Sequence, residues 1–150
     1  MLESDIYWMQ KAIALAKEAA SQDEVPVGAV LVLDSEIIGH GFNRPIQNSD
    51  PTAHAEIIAL KMAAARINNY RILKARLYVT LEPCLMCAGA MVHARIDACI
   101  FGAFDFKAGA IMSQAKAFDL PFLNHTVAYE GGLLSEECGA ILSHFFRGKR

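Results

Sequence analysis

RLYVTLEPCLMCAGAMVHARIDACIFG, residues 76–102, is the stretch whose reading decides the fold. Arg76 to Thr80 is a short strand, Pro83 to Ala94 a helix with proline near its start, and Ala98 to Gly102 a second apolar strand. The same grammar runs through the rest of the chain. Ile6, Met9, Ile13 and Ala16 recur at helical spacing and predict an amphipathic helix over Asp5 to Ala20 that packs on a sheet. Val25 to Leu33 is apolar on both faces, as a buried strand is, and Asp34-Ser35 turns the chain into a strand from Glu36 to Phe42, so this pair is an expected antiparallel hairpin. Asn43 to Pro51 reads as a loop and Thr52 to Arg66 as a helix; Thr126 to Tyr129 is a last strand, and Ser135 is the expected cap of a helix to Arg147. Helices alternating with five strands predict an α/β fold, a three-layer α/β/α domain with a central mixed five-stranded sheet over residues 1–150. The strand order is not legible.

Two clusters of metal-ligating residues sit at the starts of two of these helices. Pro83-Cys84-Leu85-Met86-Cys87 follows His54-Ala55-Glu56, with Cys84 thirty positions after His54. One histidine and two cysteines suit a borderline-soft ion such as zinc, and three protein ligands leave a fourth tetrahedral position for water. Cysteines at i and i+3 in a first helical turn share one face, and the unpaired N–H groups of a helix start favour thiolate. His54 must bind neutral, through a ring nitrogen that sequence does not specify. Zinc lowers the pKa of bound water from 15.7 to ~7, about 12 kcal/mol in favour of hydroxide at ~1.36 kcal/mol per unit, so the metal generates the nucleophile and Glu56 moves protons.

Composition narrows the partners. A chain of 150 residues with 54% hydrophobic and 20% charged residues is one globular domain, not a disordered tail. A formal net charge of -2 excludes binding nucleic acid as a general polycation, so any nucleic-acid partner is recognised locally. Met1 to Asp5 lacks the basic, apolar pattern of a secretory signal, and no apolar run reaches the ~18 residues of a membrane span, so a cytoplasmic protein with no membrane partner is expected. Of four cysteines in that reducing compartment, Cys84 and Cys87 read as ligands, Cys99 and Cys138 as buried thiols.

With these motifs in view, the chain resembles the zinc-dependent nucleobase deaminases, whose H-x-E and P-C-x-x-C signature it carries. Val25-Pro26-Val27-Gly28-Ala29-Val30, Asn43-Arg44-Pro45, Asp50-Pro51-Thr52-Ala53-His54-Ala55-Glu56 and Thr80 to Ala90 are similar to the tRNA adenosine deaminases of bacteria, and the likeness covers nearly the whole chain. The resemblance implies the cytidine-deaminase fold, one Zn2+ per subunit, a homodimer, and hydrolytic deamination of adenosine to inosine at the wobble position of an arginine tRNA. In that chemistry zinc hydroxide attacks C6 while Glu56 delivers protons to N1 and to the departing amine. It also implies that the Ala55 amide and Pro83 carbonyl line the site, that Asn43 contacts the flipped base, and that Asp105, Lys107 and Asn124 meet the anticodon stem-loop.

From the residues alone, the favoured readings are Asn43 as a turn residue, Asp105 with Lys107 as an exposed charge pair, and Leu85 and Met86 as helix-packing residues. Phe104 and Phe106 flank Asp105; buried core is the favoured reading over stacking on loop bases. Ala88, Met91 and Val92 are core or a dimer seam. One departure from the family stands out: Gly109-Ala110-Ile111-Met112-Ser113 carries methionine where the family usually has a glycine free to adopt positive φ, which puts the path of that loop in question. Two rivals share the motif, a deaminase of free guanine or cytosine and a non-catalytic zinc-stabilised RNA-binding module.

Overall fold

The computed structural model describes residues 3–149; Met1 and Leu2 of the amino-terminal stretch and Arg150 lie outside the described residues. Helix α1 (Glu3–Ser21) leads into the hairpin β1 (Gly28–Leu33) and β2 (Glu36–Phe42), and α2 (Ala55–Ile67), β3 (Arg76–Leu81), α3 (Leu85–Ala94) and β4 (Ala98–Ala103) follow. A 3-10 turn (Ala117–Asp119), β5 (Ala128–Gly131) and α4 (Ser135–Arg147) complete the chain. The strands form one five-stranded sheet in the order β2-β1-β3-β4-β5. β1 is antiparallel to both β2 and β3, while β3, β4 and β5 run parallel, so the sheet is mixed as expected.

Alternation along the strands explains the three layers. Ala29, Leu31, Leu77 and Val79 point into a core shared with α2 and α3, and Val30, Val32, Tyr78 and Ile100 into a core shared with α1 and α4. Glycines set how closely the helices approach. A Cβ on Gly28 would stand 2.0 Å from the Ala12 carbonyl oxygen of α1, and one on Gly39 2.2 Å from that of Ala59 in α2.

Register then defines the functional edge. Gly28 pairs with Phe42, Ala29 with Val79 and Leu81 with Ala103. The segment before β1 and the loops leaving β2, β3 and β4 therefore emerge together, at the carboxyl ends of the parallel strands where α/β folds bind ligands.

Several expectations shift. Val25 to Val27 is not strand: Pro26 has no N–H to give a ladder, and the Val27 N–H bonds back to the Val25 carbonyl at 2.9 Å. Asp34 and Ser35 both take positive φ, the conformation a tight two-residue hairpin turn requires. α2 begins at Ala55 rather than Thr52 and α3 at Leu85 rather than Pro83, so His54 and Cys84 are N-caps in extended conformation. β5 starts two residues later than expected, and Ser135 opens α4 rather than capping it; Leu134, in left-handed conformation, holds the cap position. Ala88, Met91 and Val92 are buried within this one chain, and Cys99 and Cys138 are buried free thiols. No described helix is long and apolar enough to cross a membrane.

On the face away from the functional edge, the Tyr78 hydroxyl donates to buried Asp5, beside the Arg76 guanidinium. Burial and that acceptor push the Tyr78 phenol up to about 12. A raised folded value means stability fully present below the unfolded phenol pKa of about 10 and lost as pH rises through 12. Subtracting the ultraviolet phenolate titration of Tyr78→Phe from that of the parent should leave a component near pH 12. A difference centred on the ordinary phenol value counts against this burial.

Candidate active site

Helices α2 and α3 start side by side at the functional edge, and the residues at their N-cap positions do no capping. His54 has φ −76° and ψ 154°, Cys84 φ −78° and ψ 174°, and neither side chain bonds its own helix start. N-caps are ordinarily Ser, Thr, Asp or Asn, whose oxygen satisfies an N–H of the first turn. Here Asn43, from the loop after β2, serves α2 from outside: its Oδ1 accepts the Ala55 N–H at 2.9 Å. That frees the imidazole and the thiol to face one another.

His54 Nδ1 lies 3.6 Å from Cys84 Sγ and 3.5 Å from Cys87 Sγ, and the three donor atoms sit within 4.8 Å of one another. Ligands held at ~2.0–2.3 Å in a tetrahedron stand roughly 3.5 Å apart, so the cluster fits zinc, and Nδ1 is the nitrogen that faces it. Two helix dipoles point their positive ends at the same spot. Hydrogen bonding from Cys87 and from His54 lowers the Cys84 thiol to about 4 against its burial, while Cys87, bonded to Cys84 and more deeply buried, is pushed up. The Cys84 contact raises His54. One thiolate beside an imidazole is a ready ligand set.

Glu56, in the first turn of α2, is only 4% exposed, and burial lifts its carboxyl to about 7. It shares a cavity of about 170 Å³ with Val25, Val27, Asn43, His54, Cys84 and Asp105. Among the described residues no fourth His, Cys, Asp or Glu joins the metal-ligand cluster. A carboxyl poised near neutrality beside an open ligand position can both take and give a proton.

The remaining expected residues are placed as follows. Ala55 gives its N–H to Asn43, and the Pro83 carbonyl accepts the Ala110 N–H at 2.9 Å, so both backbone groups are engaged within the fold. Asp105 lines the cavity, and its Oδ1 accepts the Lys107 and Ala108 N–H groups, an Asx-type turn in place of an ion pair with Lys107. Asn124 stands apart, on a second cavity of about 400 Å³ with Leu85, Leu120 and Phe122. Leu85 and Met86 are exposed, Leu85 at 65%, because the first turn of α3 faces outward; they are not helix-packing residues.

Glu82 escaped the sequence reading. Only 2% exposed, its carboxylate accepts the N–H groups of Asp105, Ile111, Met112 and Ser113 and the Ser113 hydroxyl. Burial works to raise its pKa, but these hydrogen bonds prevail and hold it below the usual carboxylate range. A Cβ on Gly109 would stand 2.3 Å from that carboxyl carbon, so glycine is required there by close approach. Met112 is not among the residues with positive φ, and its N–H reaches Glu82 at 2.8 Å, so the loop needs no second glycine. The available signal was an acidic residue at the end of an apolar strand, immediately before the ligand helix. Replacing Glu82 by alanine strands these donors, several of them out of water, and should lower unfolding free energy by about 3 kcal/mol or more at ~1–3 kcal/mol per unsatisfied group. Urea denaturation measures this, and a loss below ~1 kcal/mol contradicts the cradle.

Comparison with known proteins agrees with this geometry. A family model described as the cytidine and deoxycytidylate deaminase zinc-binding region matches residues 2–103. A tRNA-specific adenosine deaminase of Haemophilus influenzae is 54% identical over 149 residues, 99% of this chain and 86% of the relative. Among solved structures, one from work on A-to-I editing by tRNA:A34 deaminases at the wobble position of transfer RNA superposes with TM-score 0.88 at 43% identity, covering 91% of this chain and 99% of that one. A guanine deaminase from Nitrosomonas europaea shares the fold, with TM-score 0.81 at 20% identity over 93% of this chain and 83% of its own. With its His/Cys/Cys cluster, its mixed sheet and these matches, the chain belongs to the cytidine and deoxycytidylate deaminase family.

Proposed function

We propose that this protein deaminates adenosine to inosine at the wobble position of an arginine tRNA anticodon, hydrolytically and with one zinc ion per subunit. The reading is carried by the placement of buried Glu56 beside the open His54, Cys84 and Cys87 cluster, in a cavity that also holds Asn43 and Asp105. At about 170 Å³ that cavity lies below the ~300–1,000 Å³ of sites that enclose drug-sized ligands, and suits one flat base extruded from its strand. The names of the tRNA-specific relatives favour adenosine in tRNA over a free base.

Zinc held by His54, Cys84 and Cys87 supplies Lewis-acid activation of water at neutral pH. Glu56 accepts a proton from the attacking water, places it on adenine N1, and carries the second to the amine leaving C6 as ammonia. A carboxyl near 7 takes and returns these protons without a large mismatch at either step. Asn43 is oriented by the Ala55 N–H, which claims its Oδ1 and leaves the Nδ2 donor for a ring nitrogen of the base. The backbone groups of Ala55 and Pro83, bonded to Asn43 and Ala110, act by holding the elements around the cavity, and Asp105 on its wall with exposed Lys107 two residues on would meet the anticodon loop. A loop substrate costs less to unstack than a duplex, which suits a chain with little general positive charge.

The same reading makes the protein a homodimer of single-domain chains. Leu85, Leu120 and Phe122 are exposed around the second cavity, a face suited to a second copy, and Asn124 on its wall would then reach the anticodon across the interface. Four unpaired thiols fit the reducing cytoplasm, where tRNA is processed.

Glu56→Ala should keep its zinc and fold yet lose turnover by about 10²- to 10⁴-fold on an arginine-tRNA anticodon stem-loop. Undiminished deamination removes Glu56 from the chemistry, and activity of the parent on guanine or cytosine but not on the stem-loop defeats the substrate assignment. Sedimentation at micromolar concentration should give a dimer; a single species at the chain mass of 16.4 kDa contradicts it.

A further inference from the structure

Phe106 is 75% exposed, an unusual position for a phenylalanine beside a cavity lined by buried carboxylates. Its ring is nevertheless supported. It lies nearly parallel to Phe104, with centroids 6.2 Å apart and planes 12° apart, and Phe104 in turn sets its edge against buried Phe101 at 5.1 Å. Among the described residues Phe104 is the one aromatic ring that Phe106 packs against. The backbone beneath is pinned on both sides: Gln114 Nε2 donates to the Phe106 carbonyl at 2.6 Å, and the Asp105 N–H is held by Glu82 at 3.1 Å. Asp105 and Ala108, on either side of Phe106 along the chain, line the cavity that holds His54 and Glu56, and Lys107 beside it is exposed.

We infer that Phe106 is a stacking platform for the nucleobase adjoining the adenosine that enters the site. An aromatic ring on a fixed loop, backed by a second ring and accompanied by an exposed lysine, has the chemistry of single-strand recognition: a π-face for a base and a cation for the phosphate. Extruding one base leaves its neighbour with an uncovered face, and Phe106 replaces the lost stacking partner. The inference rests on the tRNA reading and adds to it a contact outside the cavity, made with a base that does not react.

The test is steady-state deamination of a synthetic arginine-tRNA anticodon stem-loop by the zinc-loaded protein and three variants of equal zinc content. Phe106→Ala and Phe106→Leu should raise KM about tenfold with kcat at saturation within about twofold, and Phe106→Tyr should behave as the parent. In stem-loops made abasic on one side or the other of the target, the penalty of Phe106→Ala should vanish at the position that stacks. A leucine variant as good as the parent overturns stacking in favour of plain apolar contact. An unchanged KM in Phe106→Ala, or a fall in kcat alone, overturns the platform altogether. Should the parent protein itself leave the stem-loop untouched, the substrate assignment fails and this inference with it, whereas an active parent with indifferent variants defeats Phe106 alone.

Discussion

Two helices of this protein start at one point, and the residues that would ordinarily seal those starts are spent on other work. A helix N-terminus leaves unpaired N–H groups that need acceptors. His54 and Cys84 occupy the positions from which acceptors usually come, yet both turn toward each other. The arrangement holds because Asn43 satisfies α2 from a separate loop and because Gly39 lets α2 lie close against β2. Sheet register does the rest, bringing the ends of β2, β3 and β4 to the same edge. Three candidate metal ligands spread over 34 residues of sequence thus become a cluster a few ångströms across.

Two buried carboxylates near that cluster are driven in opposite directions, which separates scaffold from chemistry. Glu82, surrounded by N–H donors, is held as an anion and fixes the wall of the cavity. Glu56, equally hidden but without such a set of donors, is lifted to about 7. Environments that push two titratable groups apart leave one carboxyl able to exchange protons near neutrality and hold the other as an anion. A third buried carboxylate also accepts main-chain N–H groups: Glu24 takes those of Ile46 and Gln47 and ties down the loop that carries Asn43.

Much of this was legible in the sequence. Hydrophobic periodicity located the α-helices and strands, though not the 3-10 turn at Ala117–Asp119, because each of those elements buries a face whose pattern is written locally, and ligand chemistry picked out His54, Cys84 and Cys87, which the fold brings together. What was not legible is non-local. The starts of α2 and α3 were misplaced by two or three residues because the cap that stabilises α2 comes from Asn43, twelve positions away from Ala55. Glu82 and Glu24 carry no periodic signal, since their partners are backbone groups supplied by distant loops. Leu85 and Met86 have the composition of core residues but sit on the outward turn of α3, and Phe106 likewise is apolar in type and exposed in place. Exposure depends on which way a turn faces, and spacing alone does not record it.

The cradle around Glu82 grips the 105–113 loop mainly by its main chain: four of the five bonds go to peptide N–H groups, and only Ser113 contributes a side chain. Peptide groups are the same whatever residue bears them. Apart from Gly109, whose missing Cβ makes room for the carboxyl, Ser113, Asp105 with its turn and the buried Ala110 and Ile111, the loop can therefore exchange its side chains while keeping its course, as Met112 already does. The exposed rim of the cavity is thereby separable from the cluster of His54, Cys84 and Cys87 behind it, and can change one residue at a time without disturbing that cluster.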